Sequence, residues 1–204
     1  MRTAVVVFVG MWIVMSAASA GAVADPNPDR IGIYFDEGAD QNILWAGSWP
    51  LLTMYVTVTN PTFTSIYGWQ AAIRGLDSGT ATVLGTTITG GAVINGPDLQ
   101  YSVAYETPLT AQPVTVLATI VGLMQDSMAR SCLILSGIDQ PAIPELLPLV
   151  WVQPDQPVVI QVSHHYANGV AAAINESPIP EEPSCASAVS VDRTSWRSLK
   201  ALFR

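Results

Sequence analysis

The sequence predicts an all-β chain folded as a sandwich or a barrel. Three observations carry this prediction: a strict two-residue alternation in one nine-residue segment, a series of short apolar runs of strand length, and glycine or proline between those runs.

The clearest element is Leu51–Thr59. Leu52, Met54, Val56 and Val58 fall on one face, and Thr53, Tyr55, Thr57 and Thr59 on the other. Successive side chains of a strand point to opposite faces, so this period marks a half-buried strand. Asn60-Pro61 ends it, because proline brings no N–H to a ladder. Ile31–Phe35 precedes it as a shorter candidate. Tyr67–Arg74, Thr80–Ile88, Tyr101–Tyr105, Val114–Leu123, Ser131–Leu135 and Val158–Ser163 follow. Gly75, Gly79, Gly90-Gly91, Gly96-Pro97, Pro108, Pro113, Gly137, Pro141 and Pro157 punctuate them. No long segment of the body carries a 3.6-residue period. Residues 120–130 fit a short helix or a strand end equally well.

The two ends differ from this body. Arg2 opens a basic start, Ala4–Met15 is an unbroken apolar run, and small residues follow with the patterns Ala18-Ser19-Ala20 and Ala22-Val23-Ala24. That order predicts a secretory signal helix over 1–24. The run is too short for a spanning helix, which needs about 20 apolar residues. Cleavage after Ala24 leaves the turn-prone start Asp25-Pro26-Asn27-Pro28; cleavage after Ala20 is the rival. The domain plan is then a signal peptide over 1–24, a β-sandwich over 25–175, a Pro/Ser-rich linker over 176–192 and a basic tail over 193–204. The segment Pro178–Asp192 has little to bury and gains little from ordering.

The order of the strands resembles the cohesin and cohesin-like β-sandwiches of secreted bacterial proteins. The resemblance rests on Val56-Thr57-Val58-Thr59-Asn60, on Tyr101-Ser102-Val103-Ala104-Tyr105 and on Leu117-Ala118-Thr119-Ile120, and it covers residues 30–165. It implies a nine-stranded jelly-roll sandwich that binds protein or carbohydrate and is not an enzyme. The ending Ser195-Trp196-Arg197-Ser198-Leu199-Lys200-Ala201-Leu202-Phe203-Arg204 is similar to a short address tag that follows a linker in secreted proteins of environmental bacteria.

The tail also has its own physical reading. On a helix, Trp196, Leu199 and Phe203 share one side, and Arg193, Arg197, Lys200 and Arg204 form a basic stripe. Such an amphipathic helix suits an anionic membrane surface, a docking groove of the sorting machinery, or the acidic body of its own chain. The precursor carries 8 basic and 16 acidic residues. Phosphate binding needs cations clustered on the fold itself, so nucleic acid is not an expected partner.

Chemistry-bearing patterns are sparse. Cys132 and Cys185 are an even pair, which predicts a disulfide in an oxidising compartment; two free thiols are the alternative. His164-His165 are neighbours, and neighbours on a strand point apart, so they make a poor chelating pair. The oxygen-rich run Asp36–Asn42 reads as a solvated turn, since it lacks the twelve-residue calcium-loop spacing. Asn175-Glu176-Ser177 matches a glycosylation sequon. No nucleophile elbow, phosphate loop or metal-ligand spacing is present, and no cofactor is expected. Trp69 reads as a core residue, whereas Trp45 and Trp49 sit in the loop-like stretch ILWAGSWP and are the candidate ligand-binding aromatics.

The expected function is therefore a secreted, non-catalytic sandwich for adhesion, scaffolding or surface structure, localised through its tail. Another surface protein or a polysaccharide is the expected partner. The alternative is a carbohydrate-binding module built on exposed tryptophans.

Overall fold

The computed structural model describes residues 25–45, 51–76, 79–90, 94–95, 99–126, 128–139, 147–163, 169–175 and 185. The expected signal segment, the expected C-terminal helix with its basic stripe, Trp49 and the His164-His165 pair lie outside the described residues. The described part is all-β, with two sheets.

The smaller sheet has five strands in the order β12-β1-β3-β8-β5. These are β1 (Arg30–Tyr34), β3 (Leu51–Thr59), β5 (Ala81–Ile88), β8 (Val114–Met124) and β12 (Gln161–Val162). Its strands pair antiparallel, except that β1 and β12 run parallel. The larger sheet carries β2 (Ile43–Leu44), β4 (Ser65–Arg74), β6 (Ile94–Asn95), β7 (Gln100–Thr110), β9 (Ser131–Ser136), β10 (Leu149–Gln153), β11 (Gln156–Val159) and β13 (Ala172–Ile174).

One hydrophobic cluster joins the two sheets. Ile31, Ile33, Leu52, Met54, Leu117 and Ile120 come from the smaller sheet; Trp69, Ala71, Val103, Leu133 and Val150 come from the larger. This packing is compatible with the sandwich that the alternation in the sequence predicts. Trp69 is fully buried, as its apolar setting implies. Its indole Nε1–H donates to the Tyr105 hydroxyl at 3.0 Å, and its ring lies 5.6 Å from that of Tyr101. A buried indole N–H without an acceptor would be costly, so Tyr105 makes this large ring tolerable in the core.

Two elements differ from the expected pattern. Thr57 and Thr59 are fully buried instead of half-exposed. Strand β3 lies between β1 and β8, and the Tyr34 ring folds over Gly32, the residue paired with Thr57. A Cβ at Gly32 would meet Tyr34 Cε2 at 2.7 Å, so the glycine makes room for that ring. The expected single strand Val158–Ser163 is divided. Its first part, in β11, pairs with β10 in the larger sheet, while β12 pairs with β1 in the smaller. The chain changes sheets at Ile160, whose side chain is in the core and whose N–H donates to the Pro148 carbonyl. Residues 120–124 resolve as the end of β8, not a helix.

Cys132 and Cys185 are disulfide-bonded across a sequence separation of 53, with Cα atoms 5.5 Å apart. Cys132 lies in β9 opposite Ala173 of β13. Cys185 is buried against Val170 and Ala173, so the chain beyond β13 is fastened to the sheet at that point. Closing a loop of this length restricts the unfolded chain by about 4 kcal/mol in the entropic account. Reduction, or Cys132→Ala with Cys185→Ala, is expected to lower the unfolding free energy by about 2–4 kcal/mol. Urea unfolding of the oxidised and reduced protein measures it; coincident midpoints would contradict the assignment.

Candidate recognition cleft

Strand β4 organises the outer face of the larger sheet. One of its edges pairs with β7 from Ser65 to Ala72. The other pairs with β10 over Gly68–Gln70 and then with β9 over Ala72–Arg74. Alternation sends Trp69, Ala71 and Ile73 inward to the core. Gly68 and Gln70 therefore face outward.

Register places two short rows across three strands. Trp151 of β10 stands opposite Gly68, which stands opposite Ala104 of β7. In the next row Leu149, Gln70 and Ser102 align in the same way. The ladder between β4 and β7 is interrupted between Ile66 and Gly68, where β7 runs from Leu109 to Ala104. Pro108 lies in that interval and can give no ladder hydrogen bond. Tyr67 stands at the interruption.

A cleft of about 290 Å³ opens here, between Tyr67 and Trp151, with Pro154 at its rim. Its volume is near the lower end of ligand-binding clefts, about 300–1,000 Å³. Gly68 and Ala104 keep the floor low. A side chain at Gly68 would be impossible for another reason: its Cβ would lie 2.5 Å from the Val103 carbonyl oxygen. Gln70 Nε2 donates to Ser102 Oγ at 2.8 Å. No carboxylate, ammonium, guanidinium or imidazole belongs to the described lining. Tyr105 closes the inner side, and burial pushes its phenol up to about 12, against the opposing pull of the Trp69 N–H.

Beyond the cleft the same face becomes charged and mutually satisfied. Arg74 and Asp139 form an ion pair at 2.5 Å, and Gln100 Nε2 donates to the second Asp139 oxygen at 2.6 Å. The Arg74 and Gln100 bonds hold the exposed Asp139 carboxyl below its ordinary value.

The sequence-predicted residues fall elsewhere. Trp45 is 59% exposed next to β2, the last strand on the β9-β13-β2 side of the sheet, and it does not line the cleft. With Trp49 outside the described residues, the structure does not bring the two together. Arg193, Trp196, Arg197, Leu199, Lys200, Phe203 and Arg204 are likewise outside the described residues. The acidic run at 36–42 is a self-capped turn: Asp36 Oδ1 accepts from the N–H groups of Asp40 and Gln41 at 3.1 and 2.6 Å. Among the described residues no group of three acidic, cysteine or histidine side chains is placed to hold a metal. The sequon asparagine is buried, and Asn175 Nδ2 donates to the Ala129 carbonyl at 2.8 Å, so this amide serves the fold.

Tyr67 and Trp151 belong to the set Trp45, Trp49, Tyr55, Tyr67, Trp69 and Trp151 whose rings could stack on a sugar if exposed, but Gln70 and Ser102 carry no motif. Alternation would have sent Gln70 and Ser102 outward. Their meeting with Trp151 depends on strand pairing, which alternation does not specify. The fold and the cleft thus define a two-sheet β protein with an open, uncharged surface depression. No protein-family model matches the chain, and no curated protein matches it either.

Tyr105 gives the site a pH signature. Its folded phenol titrates at about 12, against 10.0 in the reference state. The folded state thus favours the neutral phenol. That contribution is complete below about pH 10 and is lost as pH rises toward about 12. Urea midpoints are expected to fall across this window, and Tyr105→Phe is expected to make the fall shallower. An unchanged slope in the variant would refute the assignment.

Proposed function

We propose that the chain is an exported, non-catalytic recognition module with a cohesin-like jelly-roll body, serving adhesion, scaffolding or surface structure. The observation that carries this reading is the cleft between Tyr67 and Trp151. It offers flat apolar surface and hydroxyl and amide groups, but no acid, base or nucleophile activated by one in its described lining. Such a lining suits holding a ligand.

Export is supported from two directions. The first 24 residues have the signal-peptide order, and the Cys132–Cys185 bond is of the kind that persists in oxidising compartments. The basic tail supports display. All the described cations of the body are Arg30, Arg74 and Arg130, whereas four cations crowd into 193–204. In this reading the tail engages the membrane surface or the sorting machinery, and the partner of the body is a surface protein or a polysaccharide.

Fractionation of cells expressing the full chain, and the chain lacking residues 194–204, tests the reading. The full chain is expected on the cell surface with residues 1–24 removed, and the truncated chain in the medium with its fold intact. Retention of unprocessed protein in the cytoplasm would overturn export. Identical destinations for the two chains would overturn the role of the tail.

A further inference from the structure

The cleft lining is specific enough to name a ligand class. We infer that the cleft between Tyr67 and Trp151 is a binding site for a neutral saccharide, with one pyranose ring seated on the Gly68–Ala104 floor. The inference rests on the recognition-module reading above and deepens it.

The chemistry of the lining selects among ligands by elimination and by fit. Anionic ligands are disfavoured, because the described lining holds no cation and the chain carries a formal charge of −8. A peptide strand is also disfavoured. Peptides that add to sheets pair with an open edge. The floor here is centred on β4, which has β10 on one edge and β7 on the other; among the described residues β6 covers the outer edge of β7 at Tyr101 and Ser102. Both edges of β4 are paired through Gly68–Gln70, so recognition on the floor comes from side chains. A wholly apolar ligand would lie over the Ser102 hydroxyl without offering its hydrogen an acceptor.

A pyranose meets these conditions together. Its C–H faces are apolar and flat, and they suit the faces of Trp and Tyr rings, whose bodies are apolar and whose tips are polar. Trp151 and Tyr67 are both partly exposed on the cleft. Its hydroxyls lie around the rim of the ring, where they can reach a polar pair. The Ser102 hydroxyl accepts from Gln70 at 2.8 Å, which leaves its own hydrogen to donate outward. The cleft is open, so a chain can continue beyond the seated ring. A polysaccharide is therefore a better fit than a free monosaccharide.

Native affinity electrophoresis of the processed full chain tests the inference, with gels containing hydroxyethylcellulose, xyloglucan, galactomannan or laminarin. Retardation is expected in at least one gel. Trp151→Ala is expected to weaken it at least roughly tenfold, the scale of losing one aromatic anchor, and Tyr67→Ala to weaken it in the same gel. Trp45→Ala is expected to leave it unchanged. If Trp151→Ala does not fold, Ala104→Leu addresses the same floor from an exposed position and is expected to block binding. The inference is overturned by absence of retardation in all four gels, by Ala104→Leu and Tyr67→Ala binding as well as the parent, or by dependence on Trp45 instead. These results leave the export reading standing when the same preparation is processed and found at the cell surface. Unprocessed cytoplasmic protein strikes that reading whatever the gels show.

Discussion

Strand β4 has two edges, and three strands compete for them. Strand β7 takes one edge along most of its length, while β10 and β9 divide the other between Gly68–Gln70 and Ala72–Arg74. This end-to-end sharing is the constraint on which the larger sheet depends. It brings segments far apart in sequence into one surface, and it lets the sheet branch toward β11 on one side and β13 on the other. The inward face of the same strand supplies Trp69, whose N–H needs Tyr105. The outward face supplies Gly68 and Gln70. One ten-residue strand thus joins the core to the cleft.

The body was legible in the sequence where alternation and burial coincide. Strand β3 matches its expected bounds, and β4, β5, β8 and β9 begin or end within two residues of theirs. The strands that went unrecognised are short or break the alternation: Ile43–Leu44, Ile94–Asn95 and Ala172–Ile174 have too few residues to show a period, and Leu149–Gln153 begins with two buried residues in succession. Their existence depends on partners elsewhere in the chain. The cysteine pair was legible because a chain with two cysteines offers a single pairing. The cleft was not, since its members come from β4, β7 and β10 and meet only through register.

Charge is distributed by region. All sixteen acidic residues lie between Asp25 and Asp192, and that span holds three arginines. Among the described residues the fold uses charge at the surface, as in Arg74 with Asp139, in the half-buried pair Arg30 with Asp25, and to shape backbone, as in Asp36 with the N–H groups of 40 and 41. Asp29 does the same between elements, accepting from the N–H and hydroxyl of Thr62 at 2.6 and 2.7 Å. Exposed ion pairs contribute little each, about 0–1 kcal/mol, so the burial of Ile, Leu, Val and Trp side chains dominates the stability of this acidic body.

The position of the disulfide has a mechanical consequence. Tension applied to the chain beyond residue 185 enters the fold through the sulfur of Cys132, within β9. The 53-residue span between the two cysteines, with β10 to β13 inside it, is covalently bypassed. A pull from that end cannot unzip those strands one after another. It must shear β9 from β4 and β13, or break a covalent bond.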